Sequence, residues 1–306
     1  MMQPAHSIEP LAPDLRSFAV DWFLLIGRIC FASDFLLFGS RKLNNLSIIY
    51  NLIEAHHLPG ALVYPTIVLQ LGCGLAVLIG FQTRLAAALL AWFCIVAPSI
   101  FWLNNLENLT RDYAAAGGLL LLLLFGPGAI AIDARLRRSS DLVMKFFPAT
   151  LTRQAIIDRV MLAARMLIAL PFLADVVKKV IHLGSERALF EASGIPGDAV
   201  YLVMLLELIA GLMVLLGVRV RVAAVVLLAW AVVLGIVIHN PRYDFNIFGG
   251  NFAAVMMKNF LNRGAATFFK DVTTVGALLM LFVYGAGGLS ITRREGIAEA
   301  PLPIRR

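Results

Sequence analysis

Shifted by 137 residues, this chain lies on top of itself, and no other feature limits its fold as much. Segment 59–90 begins PGALVYPTIVLQLGCGLAVLIG and segment 196–227 begins PGDAVYLVMLLELIAGLMVLLG; without gaps, 15 of their 32 positions are identical. The matches include Pro59/Pro196, Gly60/Gly197, Tyr64/Tyr201, Gly74/Gly211, Gly80/Gly217 and Arg84/Arg221. Two unrelated apolar segments match at Leu and Val by chance, but not at Pro, Gly, Tyr and Arg in register. The same offset places Asp21, Arg28, Phe35 and Lys42 on Asp158, Arg165, Phe172 and Lys179. Further on, the copies align at a shift of 159, where Arg111-Asp112 meets Lys270-Asp271 and FGPG (125–128) meets YGAG (284–287). The difference, 159 − 137 = 22 residues, measures an insertion in the second copy, within 239–263.

The repeated unit is a membrane unit. Hydrophobic residues make up 60% of the chain, charged residues only 15%, and the mean hydropathy is +0.85. Eight apolar runs read as spans of about 20 residues each: 19–40, 61–80, 84–103, 112–132, 160–180, 199–217, 220–239 and 271–291. The expected fold is therefore all-α: a polytopic membrane protein of two parallel four-helix bundles, with eight transmembrane helices. An even number of spans per copy gives both copies the same orientation, related by a pseudo-twofold axis along the membrane normal. The organisation reads as an N-terminal tail (1–18), a first unit (19–133), a basic linker (134–158), a second unit (159–292) with an inserted loop (240–263), and a C-terminal tail (293–306).

The net charge of +7 does not point to nucleic acid, because the basic residues sit between apolar runs rather than on a soluble module. By the positive-inside rule they place both termini in the cytoplasm of a bacterial-type inner membrane. The opening MMQPAHSIEPLAPDLRS lacks a basic stretch before its first apolar run and is not expected to be a cleaved signal peptide. Cys30, Cys73 and Cys94 lie inside apolar runs without CxxC spacing, which favours buried packing cysteines over disulfides or a thiolate metal site.

Chemistry is concentrated in the charged stripe. Asp21, Arg28, Phe35 and Lys42 are spaced by sevens, nearly two helical turns each, and so are their counterparts; each set shares one helix face. The stripe is about 31 Å long, close to the thickness of a bilayer core, and its Arg lies about 10 Å deep. An Arg at depth is costly and marks a site by default. Glu207, about 15 Å from the same end of its helix, is the expected partner of Arg165, with Gly211 permitting close approach. A buried pair that only fixes helix packing is the plainer reading. The first copy has Gln70 in place of Glu207 and carries Asp34 where the second has Pro171, so the second copy is the expected working one. The candidate binding residues are Arg165, Glu207, Lys179, Tyr201, Arg28, Gln70 and Lys42. A second rank holds Lys178, His182, His239, Asp158 and Asp21. No histidine falls in a recognised ligand spacing, so no metal site is expected; His56 and His57 are assigned to a loop. No Rossmann, P-loop or iron–sulfur pattern appears, so the chain shows no electron carrier of its own.

Each copy resembles the DoxX family of four-span membrane proteins. The resemblance rests, in order, on the intramembrane Arg with basic residues at the helix end (Arg28 with Arg41-Lys42; Arg165 with Lys178-Lys179) and on PG before the second helix. It continues through E-x3-G-x5-G (Glu207, Gly211, Gly217; Gln70, Gly74, Gly80), the turn Arg (Arg84, Arg221), and the closing GPGAIAID (126–133) or GAGGLSI (285–291). Some similar proteins are membrane subunits of thiosulfate:quinone oxidoreductase, and others accompany redox enzymes or metal-handling systems. The resemblance thus implies a redox-associated membrane subunit that binds a quinone or similar small molecule and receives electrons from a soluble or membrane partner. The alternatives are a non-enzymatic scaffold or maturation factor, docking its partner through NPRYDFNIFGGNF, and a small-solute transporter. The transporter ranks last because the first helices lack paired Gly/Pro breaks.

Overall fold

In a computed structural model the structure describes residues 13–103, 105–136, 152–192, 194–233 and 263–291, with side chains from residue 18 and, in the last segment, from 269. His239, the body of the insertion and most of the basic linker lie outside the described residues. Every regular element among those described is helical. In chain order they are α1 (Pro13–Asn44), α2 (Leu46–Ala55), a 3-10 turn (Gly60–Leu62), α3 (Val63–Ile79), α4 (Thr83–Phe101), α5 (Leu106–Phe125), a single turn α6 (Ile132–Arg135), α7 (Arg153–Ile181), α8 (Leu183–Ala192), α9 (Ala199–Leu216), α10 (Val220–Val233) and α11 (Arg263–Tyr284). Five of them, α1, α3, α4, α7 and α9, are long and apolar enough to cross a membrane. The other expected spans coincide with α5, α10 and α11.

The sequence reading put the last span of each copy at 112–132 and 271–291. Both helices begin earlier and stop earlier. They stop at glycines in the left-handed region, Gly126 (φ 86°) and Gly128 (φ 83°) in one copy, Gly285 (φ 75°) and Gly287 (φ 74°) in the other. They begin earlier because the charged residues at their starts are buried in interhelical ion pairs rather than exposed at a water boundary. The ten-residue helices α2 and α8, which the sequence reading left as loops, occupy equivalent positions, since 46 + 137 = 183 and 55 + 137 = 192. Each follows a long first helix and precedes the Pro-Gly pair, where a proline ends helical continuation.

The two copies interlock. α1 packs on α3 and equally on α11; α7 packs on α9 and still more on α5. The last long helix of each copy thus lies against the first helix of the other, and α5 and α11 cross between them. Two self-contained bundles were expected from sequence; instead each copy lends its closing helix to its twin. Adjacent glycines on α5 permit this. A Cβ at Gly117 would come within 2.7 Å of the Ala164 carbonyl on α7, and one at Gly118 within 2.8 Å of Ala277 on α11. A single hydrophobic cluster consequently runs through both copies, from Leu24, Phe31 and Leu121 to Ile168, Leu227 and Leu281. The outward faces are apolar as well: Val68 is 71% exposed and Leu202 69%, a surface suited to lipid rather than water.

Candidate functional site

The charged stripe divides into two halves with different work. At the Asp end it forms a latch that fastens the closing loops. Asp21 accepts a bond from the Ala129 amide at 3.2 Å, and Asp158 accepts one from the Gly288 amide at 2.9 Å. Arg28 donates to the Ile130 carbonyl, and Arg165 to the Leu289 carbonyl. Both guanidinium groups are fully buried. They pack against Gly80 (φ 73°) and Gly217 (φ 77°), the left-handed caps of α3 and α9, where a Cβ would collide with the guanidinium itself. Asp133 completes the arrangement in the first copy by accepting from the Gln82 and Thr83 amides, each at 2.8 Å, at the start of α4.

At the Lys end of the second copy the stripe builds a cluster. Lys179, 2% exposed, donates to Glu207 at 2.7 Å and also bonds Asp175, one turn before it on α7. The second Glu207 oxygen accepts from the Trp230 indole at 2.7 Å. Thus α7 supplies Lys179 and Asp175, α9 supplies Glu207 and α10 supplies Trp230. Beside them Lys178 pairs with Glu107 of α5 (3.1 Å) and Glu186 of α8 (3.3 Å). Arg111 of α5 pairs with Glu107 (3.1 Å) and with Asp271 of α11 (3.4 Å).

Several of these groups, though not Lys179 or Glu186, line a cavity of about 370 Å³ between the copies. Its polar lining comprises Glu107, Arg111, Asp175, Lys178, Glu207 and Asp271, and its apolar lining includes Pro171, Phe172, Val177, Ile181 and Ala231; His182 and Trp230 also line it. A chamber of this size and mixed character accommodates a small ligand with a polar head.

The expected Arg165–Glu207 pair is not formed. Depth had been measured between backbone positions, but helical side chains lean toward their own N-terminus. Arg165 leans down to Gly217, ten residues and about 15 Å along α9 from Glu207. Lys179 leans down into the level of Glu207 and takes the place assigned to Arg165. Of the other candidates, Lys178 and His182 reach the cavity, whereas Tyr201 is 48% exposed on the outer face of α9. Lys42 sits over the Phe93 ring, 5.0 Å from its centroid, and Gln70 is buried with its side-chain oxygen unpartnered. Among the described residues no group of His, Cys, Asp and Glu can hold a metal ion, and Cys30, Cys73 and Cys94 are free thiols.

Sequence reasoning missed Asp175, Trp230, Glu107, Arg111 and Asp271 as parts of this wall. Asp175 carried a signal, since it precedes Lys179 by four residues on one helix face. Arg111-Asp112 and Lys270-Asp271 had been aligned as repeats without being placed in contact. In the structure they face each other reciprocally: Arg111 bonds Asp271, and Lys270 bonds Asp112 at 3.2 Å.

The DoxX family profile matches residues 23–104 and 160–240, once in each copy. The chain belongs to the DoxX family. Among relatives of this DoxX membrane protein, the inner membrane protein YqjF of Escherichia coli (strain K12) is 32% identical over 120 residues, covering 38% of this chain and 92% of that protein. The inner membrane protein YphA of the same organism is 27% identical over 124 residues, covering 37% and 89%. A stretch of little more than one copy thus spans nearly the whole of either relative, and this DoxX chain carries two such copies. No solved structure matches it.

Proposed function

We propose that this DoxX protein is a redox-associated subunit of a bacterial-type inner membrane, taking a quinone or similar small molecule into the cavity beside Glu207. In this reading α1, α3, α4, α5, α7, α9, α10 and α11 all cross the bilayer, as parallel copies about a pseudo-twofold axis, with both termini cytoplasmic. One observation carries the reading: the 370 Å³ cavity joins an apolar wall to donors and acceptors. Quinone chemistry needs both, because the ring is apolar and its two carbonyls take up protons on reduction. Lys178 and Arg111 supply donors to a carbonyl, and the carboxylates of Asp175, Glu207 and Asp271 supply proton-exchanging groups. In this reading a partner delivers the electrons, consistent with a sequence that has no Rossmann, P-loop or iron–sulfur pattern.

The test is to purify the protein in mild detergent, extract bound small molecules and identify them by mass spectrometry. Wild type is compared with Glu207→Gln and with Phe172→Trp, which fills the apolar wall. A stoichiometric quinone that is lost from both variants supports the reading. No quinone in wild type, or one retained undiminished in both variants, sinks it. A second reading, a non-enzymatic scaffold, is favoured by one observation: both oxygens of Glu207 are already taken, by Lys179 and Trp230. Under that reading Glu207→Gln lowers stability and leaves the bound small molecules unchanged.

A further inference from the structure

The first copy holds a buried acid that neither the latch nor the cavity uses. Asp34 on α1 is 6% exposed, and its Oδ1 has no hydrogen-bond partner. Its charged neighbours come from three helices: Asp112 on α5, Lys270 on α11, and Arg41 on α1 itself. The buried Cys94 of α4 lies within the same electrostatic cluster, together with Lys42. One of these cations, Lys270, is engaged with other groups. Lys270 bonds Asp112 at 3.2 Å and Asn108 at 3.3 Å, and its ammonium stands over the Phe38 ring, 6.0 Å from the centroid. Phe38 follows Asp34 by four residues, one turn further along the same face of α1. The second copy has Pro171 at the matching position, where no titratable group exists.

A carboxylate taken out of water without a donor on one oxygen, and with a second carboxylate close by, is poorly compensated; binding a proton removes the charge and the deficit together. We propose that the first copy carries a proton-binding site at Asp34, with Lys270 as its exchangeable counter-ion. Uptake converts the Asp34 carboxylate and one proton from water into a carboxylic acid, with no electrons moved. In the protonated state Lys270 rests on Asp112, the arrangement in this structure. On release, the new carboxylate draws Lys270 away from Asp112. Because Lys270–Asp112 and Arg111–Asp271 cross at the same point of α5 and α11, that movement reaches the wall of the second copy's cavity. This inference stands apart from the quinone reading and does not need it.

The experiment is infrared spectroscopy of the full chain in lipid nanodiscs, with 13C-labelled aspartate carboxyls. At neutral pH, wild type is expected to show a protonated-carboxyl absorption bearing the aspartate isotope shift. Asp34→Asn should abolish it, and Glu207→Gln should leave it in place. Wild type without such an absorption, or an absorption that survives Asp34→Asn, overturns the proposal. So does one that sodium abolishes at constant pH, which would make the site one for metal cations. If Asp34→Asn does not fold, Asp34→Glu keeps the test: the absorption must leave the aspartate label and appear under a glutamate label.

Discussion

The two copies are alike at one end and different at the other. At the Asp end the aspartate, the arginine and the glycine of the latch are the same in both, Asp21 and Asp158, Arg28 and Arg165, Gly80 and Gly217, and only the first copy adds Asp133. At the Lys end the second copy has Asp175, Glu207 and Trp230 around Lys179, where the first has Phe38, Gln70 and Phe93 around Lys42. In each copy the latch ties the closing loop to the first helix. The ionic cluster is dispensable to the fold provided that its charges go together. The first copy lacks both carboxylates, and its Lys42 remains half-buried against an aromatic ring rather than sealed in. A copy lacking only one member of the ionic set would strand a charge, which costs more than having none.

That comparison is most exposed to failure at the two lysines. Lys179→Met removes the cation that Glu207 and Asp175 share and leaves the buried Glu207 carboxylate with the Trp230 donor but no counter-ion contact, and should destabilise the protein by about 3–5 kcal/mol. Lys42→Met removes a cation resting on Phe93, and should cost about 1–2 kcal/mol. Thermal unfolding in detergent, run side by side, measures both. Equal losses would mean that the two Lys ends are energetically equivalent after all.

Next in size come the latches. Gly217→Ala and Gly80→Ala each place a Cβ in the left-handed region and against a buried guanidinium, and each should cost about 1–3 kcal/mol. Here the expectation is equality between the copies. If one glycine tolerates alanine and the other does not, the latches are not interchangeable parts of the fold. Trp230→Phe, which gives the second copy the ring of the first, removes the indole donor from the Glu207 carboxylate. It should cost about 1.5–3 kcal/mol, the worth of a bond to a charged group, whereas Phe93→Trp has no carboxylate to serve and should bring no matching gain.

The helices, their order and the duplication were legible in the sequence because they rest on periodicity and on residues matched in register. The interlocking was not. Which copy's closing helix α1 packs against depends on close approaches such as those at Gly117 and Gly118, and small residues within an apolar run do not name their neighbours. The stripe was legible as a stripe, but its partners were assigned by depth alone. Arg165 and Lys179 are both long enough to reach a turn away from their own backbone, so a depth estimate could not choose between them. Asp175 and Trp230 went unread for a related reason. One sits beside the stripe rather than on it, and the other is an aromatic residue in an apolar helix until a carboxylate is placed opposite its indole.

The smallest expected effect is the most informative about how the first copy is built. Gln70 is buried where Glu207 is buried, and Lys42 stands at the position from which Lys179 reaches its carboxylate. If the backbone frame is the same, Gln70→Glu gives Lys42 a partner, and the Coulombic gain offsets most of the desolvation cost; the net change should stay within about 1 kcal/mol. Adding Phe93→Trp supplies the indole donor and should recover part of any loss. Thermal unfolding of the single and double variants reads this directly. A loss of about 3 kcal/mol or more from Gln70→Glu would show a carboxylate left unpaired, and therefore a first copy in which Lys42 cannot turn inward. Near-neutral behaviour would instead mean that the ionic cluster can be installed in either copy, so that the two Lys ends differ in side chains and not in frame.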